Sequence, residues 1–147
     1  MGGHDFTLTK RPQNNPIYDA SGKWNYTQSG FDDRCDPPST PPTPSGFIQV
    51  TQTGNSVTAI DDQGVPYSGF IDGATYGLVR TYPEDGGRTS VVYLVTLNSA
   101  TRGSGPVEFV WDDNCDDCWG QWTINITKEP AAKQKSLPGI PLLLLED

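Results

Sequence analysis

The sequence predicts an all-β domain: an eight-stranded antiparallel up-and-down meander closed into a small barrel, with extended arms at both ends. Three observations carry that prediction. Between residues 22 and 128, short runs rich in Val, Ile, Thr, Tyr and Trp alternate with Gly, Asn and Asp turns, at the spacing of a sandwich or barrel. Within the runs, apolar residues recur at every second position, the period of a half-buried strand, and no amphipathic helix pattern competes. Pro (13) and Gly (16) are abundant while charged residues make up only 19% of the 147, a composition of turns rather than of helical bundles.

Residues 1–21 mix Pro, Asn and Asp with few apolar side chains and read as an N-terminal arm. The barrel domain, 22–128, then holds eight runs: Lys23–Gln28, Phe47–Thr53, Ser56–Ile60, Val65–Ile71, Thr75–Tyr82, Thr89–Asn98, Pro106–Trp111 and Trp119–Lys128. Gly54-Asn55, Asp61-Asp62-Gln63-Gly64, Asp72-Gly73 and Glu84-Asp85-Gly86-Gly87 link them as hairpin turns, because these residues tolerate positive φ. Alternation assigns Trp24, Tyr26, Ile48, Val50, Tyr76, Leu78, Val107, Phe109, Trp111, Trp122, Ile124 and Ile126 to the core. Lys23, Asn25, Thr27, Gln49, Thr51, Glu108, Gln121, Thr123 and Asn125 fall on the wet face.

Val91 to Leu97 is apolar on both faces, so its outer side is expected to be covered by a terminal arm or a neighbouring molecule. Residues 129–147 form an extended C-terminal tail whose Leu142, Leu143, Leu144 and Leu145 either pack on their own domain or dock on a partner. Eight strands joined by short turns leave two bare edges unless the sheet closes. Closure at this number gives a barrel filled by side chains or holding one small ligand, with a two-sheet sandwich as the alternative.

Gly22-Lys23-Trp24, opening the first strand, resembles the Gly-x-Trp signature of lipocalins and the wider calycin superfamily. The run from Gly120 to Lys128 is similar in style to the closing strand of such barrels, streptavidin-like ones included. The resemblance spans residues 22–128. It implies that Trp24 plugs one end of the barrel, that a basic residue covers the plug, with Lys128 best placed, and that the barrel binds ligands. It also implies that the loop from Ser29 to Gly46, stiffened by Pro37, Pro38, Pro41, Pro42 and Pro44, lids the open end.

In an up-and-down barrel the loops after strands one, three, five and seven emerge at one end. They contain Asp32, Asp33, Asp36, Asp61, Asp62, Glu84, Asp85, Asp112, Asp113, Asp116 and Asp117, eleven of the eighteen acidic residues. The opposite loops hold Asp72 and Arg102, with Lys23 and Lys128 nearby. One rim is therefore expected to attract cations or basic surfaces, although Asp is also a common turn residue. Cys35 shares that end with Cys115 and Cys118, so a bridge from Cys35 to Cys115 or Cys118 is expected if the barrel closes; a Cys115 to Cys118 pairing competes.

The Cys115-Asp116-Asp117-Cys118 spacing fits zinc and redox sites, but zinc needs about four ligands and neighbouring carboxylates would raise a thiol pKa. Calcium is the better metal candidate, through the hard oxygens of Asp112, Asp113, Asn114, Asp116 and Asp117. The expectation is nevertheless a protein without a cofactor.

A net charge of −8 argues against nucleic-acid binding, and no run of about 18 apolar residues exists to span a membrane. Three cysteines fit one bridge in an exported protein, secreted or periplasmic, whose leader is absent from Met1-Gly2-Gly3-His4. His4 stands alone on the arm, and the sequons at Asn25 and Asn125 lie inside strand runs. There is no Gly-x-Ser-x-Gly elbow, phosphate loop or His beside a nucleophile, and a Glu84 and Asp112 glycosidase pair would sit in exposed turns. The expected function is non-catalytic binding of a small amphipathic or cationic ligand at the acidic open end. Trp24, Tyr26, Tyr76, Tyr93, Phe109, Trp111 and Trp122 would supply aromatic surface. The alternative is a structural or interaction module, an oligomer or partner-bound unit, docking through the leucine tail.

Overall fold

In the computed structural model, which describes residues 14–130, the alternating runs become eight strands. They are β1 (Gly22–Asp33), β2 (Ser45–Thr53), β3 (Ser56–Asp61), β4 (Pro66–Asp72), β5 (Thr75–Glu84), β6 (Gly87–Ser99), β7 (Arg102–Asp112) and β8 (Asp117–Lys128). Each pairs antiparallel with the next, and β1 pairs with β8, so the sheet closes into a barrel. The sandwich alternative is thereby excluded. Among the described residues no helix is long and apolar enough to cross a membrane.

The turns form where glycine, asparagine and aspartate supply positive φ. Asp85 (48°) and Gly86 (79°) make a hairpin turn of the kind whose twist matches the strands it joins. Most strands run a residue or more further than alternation predicts, β1 and β7 by the most at one end. β1 continues past Gln28 because the register shifts between Ser29 and Asp32, with Gly30 at φ 75°, so a bulge absorbs what reads as a turn. The first loop is consequently shorter than the expected Ser29 to Gly46. β7 starts at Arg102 rather than Pro106, through Gly103-Ser104-Gly105, residues with weak strand preference. Their use is steric: a Cβ on Gly105 would overlap the Leu94 carbonyl of β6.

Two buried clusters fill the barrel. Near the closed end, Ala20, Trp24, Val57, Ile71, Tyr76 and Leu97 pack together; further along lie Val91, Val95, Val107, Phe109, Trp122 and Ile124. The arm contributes to the first. Residues 14–21 cross the closed end, where Ile17 N–H donates to the Gly73 carbonyl (3.1 Å). Gln52 ties the same segment down, accepting from Ala20 N–H (2.8 Å) and donating to the Tyr18 carbonyl (2.9 Å). Trp24, 1% exposed, donates its indole N–H to the Ala20 carbonyl (2.8 Å). Lys128 Nζ stands 5.7 Å from the Trp24 ring centroid and donates to the Asp19 carbonyl (3.0 Å).

On the outer face, Phe70, Val79, Val92 and Leu94 are 43–66% exposed. Val79 lies opposite Val92, and Gly77 lies opposite both Phe70 and Leu94, so the four make one apolar band over β4, β5 and β6. No described residue covers the outer side of Val92 and Leu94. The segments 1–13 and 131–147, with His4 and Leu142 to Leu145, lie outside the described residues.

Replacing Trp24 by Ala is expected to destabilise the barrel by about 3–5 kcal/mol, as loss of a buried aromatic does. Urea unfolding measures it, and a loss below about 1 kcal/mol would show that the closed end does not need its plug.

Candidate functional site

At the open end a mouth of about 370 Å³ lies between the first loop (Ser39 to Thr43) and the barrel wall. Below it is an inner chamber of about 70 Å³, walled by apolar side chains that include Ile48, Val57, Val95 and Ile126. Tyr26, Gln28, Asp61, Tyr67 and Tyr93 line both spaces, so they form the neck between them. The two spaces lie on either side of this shared wall, the mouth toward the rim and the chamber toward Trp24.

Alternation along the strands positions these groups. Trp24, Tyr26 and Gln28 follow one another inward on β1; Val57, Ala59 and Asp61 on β3; Tyr76, Leu78, Arg80 and Tyr82 on β5. From β4 comes Tyr67, whose ring meets Tyr93 of β6 edge-on at 5.3 Å. Tyr93 meets Trp122 of β8 at 6.5 Å, and Phe31 lies 5.9 Å from Trp122 and 6.1 Å from Phe109. Edge-to-face and offset contacts at these separations are mutually favourable and hold the wall in place.

Polar groups in the neck are engaged. Gln28 accepts from the Trp122 indole (2.7 Å) and donates to the Thr43 carbonyl (2.8 Å), fastening the loop to the wall. Asp61 Oδ1 accepts from the N–H groups of Gln63 and Val65 (both 2.9 Å), and its Oδ2 accepts from the Tyr67 hydroxyl (3.0 Å). Burial, with Tyr93 and the Asp61 charge adding to it, pushes the Tyr67 phenol far above its ordinary value. Burial likewise raises Tyr26, Tyr76, Tyr82 and Tyr93. Arg80 stacks on Tyr82, 3.9 Å from its centroid, and lies 6.0 Å from that of Tyr67.

The loop over the mouth is held from two sides. Cys35 is bonded to Cys118 across 83 residues, and Ser39 N–H donates to Asp33 Oδ2 (2.6 Å). Of the two expected partners the bridge takes Cys118, and Cys115 is an exposed free thiol.

The expected aromatic residues separate into three groups. Trp24 and Tyr76 line the inner chamber, Phe109 and Trp122 line the mouth, and Tyr26 and Tyr93 line both. Trp111 stands apart: it donates to the Glu84 carbonyl (2.7 Å) and lines an outer groove beside the disulfide. Alternation did not single out Tyr67, Gln28, Asp61 or Arg80, although each sits at an inward parity that the sequence displays.

The closed meander gathers the eleven loop acids at one end, as parity requires. Several of them build their own turns. Asp112 Oδ1 accepts from Asn114 N–H (2.6 Å), and Asp113 Oδ1 from the N–H groups of Cys115 (2.9 Å) and Asp116 (2.7 Å). The Asp116 and Cys115 amides hold the Asp113 carboxyl below the usual carboxylate range. Among the described residues, Asp112, Asp113, Asp116 and Asp117 included, no group of three or more His, Cys, Asp or Glu side chains is arranged to hold a metal ion. Arg34, paired with Asp32 at 3.2 Å, offsets part of the rim charge.

Two measurements check this geometry. Mass spectrometry of unreduced protein is expected to find Cys35 linked to Cys118 with Cys115 free to alkylate, and replacing both bridged cysteines by Ser should cost about 2–5 kcal/mol. In an absorbance titration, only a minority of the six tyrosines should ionise near pH 10. Because the folded pKa values of Tyr26, Tyr67, Tyr76, Tyr82 and Tyr93 are raised, the stability these five contribute is intact below about pH 10 and is lost as pH rises further; complete ionisation near pH 10 without unfolding would contradict the buried neck. Comparisons with protein-family models, with curated proteins and with solved structures give no match to this chain.

Proposed function

We propose that this chain is a non-catalytic, exported barrel that binds a small amphipathic molecule at its open end. The observation that carries the reading is a partly polar mouth and an apolar inner chamber that share a neck of Tyr26, Gln28, Asp61, Tyr67 and Tyr93. Concave, mostly apolar spaces with a few placed polar groups are where proteins take small ligands. A disulfide spanning 83 residues supports maturation in an oxidising compartment. The surplus of rim carboxylates would favour a cationic guest through its long-range field. That expectation rests on charge count, whereas the amphipathic character rests on the walls of the cavity.

The second reading, an interaction module, is favoured by the exposed band of Phe70, Val79, Val92 and Leu94, since contiguous apolar surface often marks a contact. Leu142 to Leu145 would be its other contact.

Hydrophobic-dye titration and size exclusion on the full chain discriminate the two. The binding reading expects a monomer whose Trp emission changes saturably with dye. Concentration-dependent oligomers abolished by deleting residues 137–147, with no dye response, would replace it by the second reading.

A further inference from the structure

Arg80 occupies an inward position of β5, in series with Tyr76, Leu78 and Tyr82, and lines the mouth. A cation turned into a barrel loses part of its hydration and needs compensation. Here the compensation comes from ring faces, Tyr82 at 3.9 Å and Tyr67 at 6.0 Å. Rings attract a guanidinium through its face and leave its in-plane N–H groups available for acceptors. Among the described residues no hydrogen bond or ion pair engages those groups. The carboxylates lining the same space are engaged elsewhere: Asp61 by three donors, and Glu84 by the Thr89 hydroxyl at 2.6 Å.

We propose that Arg80 is the head-group site of this barrel, receiving the carboxylate of a small amphipathic acid whose apolar body passes through the neck toward the inner chamber. The assignment rests on the reading of the open end as a ligand site, and gives that ligand a charge. A guanidinium presents a planar fork that matches a carboxylate with two parallel hydrogen bonds. Tyr82 and Tyr67 keep the fork in place, so little side-chain freedom is lost on binding. The acidic rim opposes an anion at a distance. Eight of its eleven charges are exposed, however, and are screened within about 8 Å at physiological ionic strength, while charge-assisted bonds to Arg80 are about twice as strong as neutral ones. The rim therefore slows encounter more than it weakens the bound state.

The test compares three probes with one chain and three head groups, octanoate, octanol and octylammonium, by calorimetry and Trp fluorescence on the full chain. Octanoate is expected to bind about tenfold or more tighter than octanol. Arg80→Gln should bring octanoate to the level of octanol while leaving octanol within about twofold, and Arg80→Lys should keep part of the preference. Equal binding of octanoate and octanol, a preference for octylammonium, or a preference for octanoate surviving in folded Arg80→Gln each overturns the role of Arg80 and leaves the cavity reading standing. Saturable binding of none of the three overturns both. If Arg80→Gln does not fold, the side-chain N–H resonance of Arg80 in the native protein decides: a shift on adding octanoate supports the assignment, and no shift overturns it.

Discussion

The pairing of the first strand with the last is the constraint on which the rest depends. Trp24 lies opposite Lys128 and Tyr26 opposite Ile126 along that seam. Without it, the meander would present two rows of unpaired backbone groups and no enclosed space. With it, every residue has an inside or an outside, and every loop belongs to one of two poles. The seam also brings Cys35 and Cys118 together, though 83 residues separate them. Once formed, the covalent link removes conformational freedom mainly from the unfolded chain and so reinforces the closure that made it geometrically available.

Along the barrel axis the interior changes character in steps. At the closed pole Trp24 and its neighbours are buried and apolar, and the arm supplies carbonyls to the indole, Gln52 and Lys128 so that no buried side-chain polar group there is stranded. In the middle, Tyr67 and Tyr93 present rings to the interior, and the Tyr67 hydroxyl donates to Asp61. At the mouth a charged side chain is tolerated because ring faces and solvent share its compensation. Polarity rises toward water, so the free energy of an inward group depends on its depth.

Much of this was legible in the sequence, and the gaps have physical reasons. Period-two alternation located all eight strands, because a side chain's face is a property of the backbone itself. Turn parity then placed the acids and the thiols at one pole. Alternation failed where pairing overrode local preference: Gly103-Ser104-Gly105 reads as loop, yet the approach of the β6 backbone requires glycine at 105. A bulge likewise extended β1 through Ser29-Gly30. The site was read from its aromatics, and its polar members were overlooked because Gln28, Asp61 and Arg80 look like surface residues until their parity is compared with Tyr26, Ala59 and Leu78. Trp111 shows the converse: correct parity, but so near the rim that its ring serves the outer groove. The turn roles of Asp112 and Asp113 depend on hydrogen bonds within a few residues, which a charge count does not distinguish from a field.

The described chain enters and leaves at the same pole. Asn14 lies against the Asp72-Gly73 turn, and Glu129 N–H donates to the Lys23 carbonyl (2.9 Å) beside the plug. Both described ends therefore lie at the pole opposite the first loop, so a pulling force applied between residues 14 and 129 would load the plugged pole and leave the entrance out of its path.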